Sequence, residues 1–103
     1  MRQRMKDFAL RIVRLSRWLP KSCEGRVLAG QILRAGTSVA ANYRAACRAR
    51  SRAEFVAKLG VAVEEADESV FWLELLGDAE VVPKARLEPL MREANEILAI
   101  LSS

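Results

Sequence analysis

Histidine is absent from this chain of 103 residues. Its absence removes the commonest general base and the commonest metal ligand together. Cysteine occurs twice, at Cys23 and Cys47, and two isolated thiols do not make a zinc pattern. Neither of the glycine-rich phosphate-loop spacings occurs. Aromatic residues make up only 6% of the chain. Tyr43 alone lies among the arginines of its middle, which argues against a stacking platform for single strands. No apolar run approaches the ~20 residues of a membrane span. The start, MRQRMKDFALRIVRL, has neither the apolar block nor the cleavage pattern of a secretory signal. These absences predict a cytoplasmic protein whose thiols stay reduced, with no cofactor, no metal and no catalytic residue. Glu65 and Glu68, one turn apart, would suit a di-iron bundle only beside Glu-x-x-His partners. With Lys58 two turns before Glu65, they read instead as a salt-bridged network.

What is present favours helices. Alanine, leucine, arginine and glutamate dominate, and apolar residues form 51% of the chain. The length suits one domain with one core. Met5, Phe8, Ile12 and Leu15 recur at helical spacing and predict a first helix over about 2–18, ended by Pro20. Ser22 is placed to cap a second helix over about 23–47. That helix has a small, partly polar face holding Gly30, Ala35, Gly36, Ser38 and Asn42, which predicts tight packing at both glycines. Ser51 and Glu54 form the Ser-x-x-Glu capping box, in which each side chain satisfies the other's backbone N–H, and they open a third helix over about 52–78. This helix carries two stripes. Phe55, Leu59, Ala62, Ala66, Val70, Leu73 and Leu76 face a core, while Lys58, Val61, Glu65, Glu68 and Trp72 face something else. A fourth helix is expected over about 84–101, with Pro89 early in it, where the missing N–H is tolerable if the regular helix starts near Arg86. Four amphipathic helices with short connections predict an all-α, antiparallel up-down-up-down four-helix bundle.

Charge is divided along the chain. Residues 1–58 hold fourteen Lys and Arg against three Asp and Glu, a net +11, whereas residues 59–103 hold three against ten, a net −7. Such a division suits an internal or self-assembling match of basic on acidic helices, and it also suits contact with nucleic acid. For the second reading the candidate phosphate-binding residues are Arg11, Arg14, Arg44, Arg48, Arg50 and Arg52, since the planar guanidinium grips phosphate with two bonds. Binding of this kind is led by the backbone and depends strongly on salt.

The run from Leu33 to Leu76 resembles the four-helix-bundle family first noticed as products of intervening sequences in bacterial 23S ribosomal RNA genes. The resemblance rests on Gly36, Thr37 and Ser38, then Asn42, Tyr43 and Arg44, the capping Ser51, Phe55 and Lys58, Glu65 and Glu68, and the ending Trp72, Leu73 and Glu74. The later stretch from Val82 to Leu90 is similar to the family as well. The resemblance implies a bundle that assembles as a ring, usually a homopentamer. It also implies kinship with the accessory protein of diversity-generating retroelements, a basic ring that binds nucleic acid and a reverse transcriptase. The chain departs from the pattern at Ala45 and Ala46, where many relatives carry a glutamate. In this light Asn42, Arg44, Lys58, Glu65, Glu68 and Trp72 are expected to form a polar network at a subunit interface. The expected role is a non-enzymatic, ring-forming module that binds RNA or DNA through a basic surface. A protein-binding scaffold without a nucleic-acid role is the alternative.

Overall fold

The computed structural model describes residues 1–103 and contains four helices: α1 (Arg2–Trp18), α2 (Cys23–Cys47), α3 (Arg52–Asp78) and α4 (Lys84–Ser102). Each start and stop has a local cause. Ser22 Oγ accepts from the N–H of Gly25 at the head of α2, and Ser51 Oγ accepts from the N–H of Glu54 at the head of α3. The second half of the expected capping box is not formed, because Glu54 does not accept from the Ser51 N–H. At the end of α3 the Val81 N–H reaches the Leu76 carbonyl and the Glu80 N–H reaches that of Gly77. This is the paired-bond ending in which the residue after the cap turns left-handed, and here that residue is Glu80, at φ 59°. Pro83 precedes α4, and its carbonyl accepts from Arg86 and Leu87. The helix begins at Lys84, at the expected boundary, and Pro89 sits inside it. Proline has no N–H to offer the carbonyl of Ala85, but that residue is exposed, so its carbonyl is open to solvent.

Helices adjacent in sequence pack side by side, α1 meets α4 more sparingly, and the diagonal pairs do not meet. This is the square arrangement that short connections impose on antiparallel neighbours. The core is one cluster drawn from every helix, with Met5, Phe8 and Ile12 of α1, Ile32 and Val39 of α2, Leu73 and Leu76 of α3, and Leu90 and Ile97 of α4. Gly36 lets α1 close onto α2. A Cβ there would lie 2.7 Å from Cγ1 and 2.8 Å from Cγ2 of the fully buried Ile12. Gly30 does not share this role. A Cβ at that exposed position would meet nothing within 4 Å, which corrects the expectation of tight packing at both glycines.

The helices are unequal, and this shapes the molecule. α3 has 27 residues and α1 only 17. At ~1.5 Å per residue they differ in length by roughly 15 Å. The molecule is accordingly a rod of 44 × 23 × 19 Å. The α2–α3 hairpin runs past the start of α1, and every residue from Arg50 to Lys58 is exposed. Phe55 belongs to the core stripe by its spacing, since it lies about five turns before the buried Leu73. It is nevertheless 42% exposed, because no residue of α1 or α4 reaches that far. That end of the expected stripe is not part of the core.

Candidate functional site

Two features stand out, both on α2. The first is a polar cluster across the α2–α3 seam. Arg34 Nη1 donates to Glu65 Oε2 at 2.8 Å, Arg34 Nη2 donates to Glu68 Oε1, and Trp72 Nε1 donates to the same Glu68 oxygen at 3.1 Å. One guanidinium thus spans two carboxylates a turn apart, and the indole holds the second. The Arg34 side chain is 50% exposed, whereas that of Glu65 is only 13% exposed. An exposed pair is worth ~0.2–1 kcal/mol. Leaving the half-buried Glu65 without its partner would cost more, ~1–3 kcal/mol.

The structure thus brings together Glu65, Glu68 and Trp72 of the expected network, around a cation the network did not include. In an antiparallel hairpin turning near residue 50, level positions have numbers summing to about 100, so Arg34 stands opposite Glu65 and Glu68. That arithmetic is a signal in the sequence, and it also sets Lys58 opposite Asn42 rather than beside a carboxylate. Lys58 is exposed and forms no ion pair within the chain. Asn42 turns back onto its own helix, where Nδ2 donates to the Ser38 carbonyl and to Ser38 Oγ, both at 2.9 Å. Arg44 points to the other side of α2.

The second feature is basic. Arg44 lines a cleft of about 400 Å³ between the end of α2 and the start of α1, together with Arg2, Gln3, Lys6, Ala40, Ala41 and Tyr43. Burial pushes the Tyr43 phenol above its ordinary pKa, the nearby Cys47 thiol adds to the effect, and Arg2 opposes it. The phenol is therefore protonated at neutral pH. Arg48, Arg50 and Arg52 are all exposed at the projecting turn between α2 and α3. Arg14 is exposed on α1, about three turns beyond Arg2. Arg11 is half-buried and adds its charge to that of Arg4 near Glu93 of α4. The six candidate arginines thus divide among the hairpin tip, the cleft, the outer face of α1 and the α1–α4 seam.

Internal pairing accounts for little of the charge. Within residues 1–58 only Arg4 and Arg34 form ion pairs, with Glu93 and Glu96 and with Glu65 and Glu68 respectively. The other twelve cations of that half have no carboxylate within bonding distance. No three carboxylates or thiols converge as a metal centre would require. No helix is long and apolar enough to cross a membrane.

The fold and these surfaces define an all-α, four-helix protein whose polar features lie on its outer faces. The chain belongs to the 23S rRNA-intervening sequence protein family, whose model matches residues 1–103. It is also similar to a crystal structure, at 1.70 Å, of a protein with unknown function from the S23 ribosomal protein family of Bacteroides thetaiotaomicron. The two are 40% identical, with a TM-score of 0.91, over 97% of this chain and 93% of that one. Among curated proteins no match is found.

Proposed function

We propose that this protein is a non-enzymatic assembly module of the cytoplasm, which joins copies of itself into a ring and binds nucleic acid through its basic end. The observation that carries the assembly is Phe55. It continues the core stripe of α3 beyond the point where α1 and α4 stop, and Val56 and Val61, on other faces of the same stretch of α3, are 56% and 39% exposed. A stripe written for burial and left bare within one chain is best covered by another chain. The family resemblance makes five subunits the expected number. The exposed Lys58 lies on this same projecting segment, so a subunit docking there would bring a carboxylate or a carbonyl to it. The nucleic-acid role rests on the twelve unpaired cations and on the concentration of Arg44, Arg48, Arg50 and Arg52 toward the projecting end.

Light-scattering chromatography, with and without a mixed-length RNA, tests both parts. The expected outcome is a mass near five times 11.5 kDa that rises with RNA at low salt and returns at high salt. Phe55→Ser should reduce the mass, and Lys58→Ala should weaken assembly without unfolding the chain. A wild-type monomer would remove the ring, and an oligomer indifferent to RNA would remove the nucleic-acid role. Trp18, 80% exposed at the opposite end, favours a second reading, a protein-binding scaffold. Its partner could be a reverse transcriptase, as for the retroelement accessory protein, and capture of such a partner without RNA would support it.

A further inference from the structure

The cleft between the start of α1 and the end of α2 has a composition that calls for an anion. Its walls carry three cations, Arg2, Lys6 and Arg44, and no carboxylate. None of the three forms an ion pair, and all are exposed. The nearest acidic side chain in sequence, Asp7, is outside the lining and accepts from Gln3 Nε2 at 2.8 Å. The first turn of α1 has no capping side chain and no acidic residue, so the partial positive charge of the helix start is also uncompensated. The floor is small, Ala40 and Ala41, which lets a ligand approach α2 closely. Tyr43 adds a half-buried wall with a hydroxyl that can donate. A concave surface lined by three like charges and no carboxylate concentrates the field.

We propose that this cleft seats a phosphodiester segment of a nucleic acid, with Arg2, Lys6 and Arg44 each neutralising a phosphate and the Tyr43 hydroxyl donating to one of them. The inference rests on the nucleic-acid reading above and deepens it, because it places the main grip at the α1–α2 cleft rather than on the arginines of the hairpin tip. Two of the three cations, Arg2 and Lys6, come from the first turns of α1, remote in sequence from Arg44 near the end of α2, and only the antiparallel packing of α1 on α2 sets them beside it.

The test compares two triple variants with the same change in net charge. In one, Arg2, Lys6 and Arg44 become Gln, and in the other, Arg17, Lys21 and Arg26, near the α1–α2 turn at the far end, become Gln. Binding of a fluorescent single-stranded RNA is measured by anisotropy between about 50 and 200 mM salt. Each phosphate contact with a single strand contributes ~0.7 to the salt slope, or about fivefold in affinity at 0.1 M. The cleft variant should therefore lose roughly a hundredfold, and its slope should be shallower by about 2. The far-end variant should lose only a few-fold. Equal losses in both variants would show a general attraction of charge and overturn the cleft while leaving the nucleic-acid reading in place. A wild-type protein that does not bind RNA even at low salt would overturn both. All the substituted side chains are exposed, so both variants should melt with the wild type. Should the cleft triple variant unfold, Arg44→Gln alone must still lose about fivefold.

Discussion

Gly36 and Gly30 lie on the same helix six residues apart, and alanine should act on them in opposite directions. At Gly30 there is open space, so Gly30→Ala gains only helix propensity, ~1 kcal/mol, and should raise the melting temperature by roughly 4 °C. At Gly36 the same methyl would meet Ile12 at the branched carbons near its backbone, which cannot swing aside. Overpacking of this kind costs ~1–3 kcal/mol and outweighs the propensity gain, so Gly36→Ala should lower the melting temperature by several degrees. Thermal melts followed by circular dichroism decide it, and a Gly36→Ala protein as stable as the wild type would mean that α1 sits less tightly on α2 than described. The sequence marked both glycines as unusual within a helix. It could not tell them apart, because the difference lies in whether α1 passes over them.

Among the elements, α3 ends in a way that exposes a weakness. Glu80 occupies a left-handed position that favours glycine, at a cost of ~1–2 kcal/mol for a side-chain-bearing residue. Glu80→Gly should stabilise the protein by about 1 kcal/mol in a denaturant titration, with the m-value unchanged. A neutral or destabilising result would indicate that the Glu80 side chain makes contacts of its own. The four helices themselves were legible from short-range chemistry. Ser22, Ser51, Pro20 and Pro83 mark boundaries because capping and the missing proline N–H act over one turn, and the observed limits follow them closely. Pro89 was placed less well. Its tolerance inside α4 depends on the exposure of Ala85, which is a property of the packed helix rather than of the residue. The network on α3 was half legible. Period and spacing put Glu65, Glu68 and Trp72 in line, but the choice of Arg34 as their cation follows from the register of the hairpin.

For the molecule as a whole, the α1–α4 seam is where the square closes least tightly, and charge holds it. Arg4 donates through Nε to Glu93 Oε2 at 2.8 Å and through Nη2 to Glu93 Oε1 at 2.7 Å, with Glu96 at 3.3 Å. The hydrogen bonds from Arg4 hold the Glu93 carboxyl below its ordinary value against the opposing effect of burial, and the charges of Arg4 and Arg11 assist. A carboxylate with a depressed folded pKa contributes stability above its unfolded value near ~4.3 and loses it as the pH falls through the folded value. Glu93→Gln should therefore be less stable than the wild type at pH 7, and the two should converge as the solution is acidified to about pH 2. Chemical denaturation across that range checks it, and a difference that did not change with pH would show that Glu93 acts by packing alone.

Secondary structure, the division of charge and the presence of a buried stripe on each helix were determined by the sequence itself, since propensity, capping and periodicity are settled within a few residues. The tertiary structure decided which parts of those stripes are buried and which charges are left without partners. Phe55 is bare because α1 and α4 are shorter than the hairpin they pack on, and Arg2, Lys6 and Arg44 share one cleft because antiparallel packing brings the start of α1 to the end of α2. Both facts depend on distances between segments remote in the chain, which no local pattern encodes.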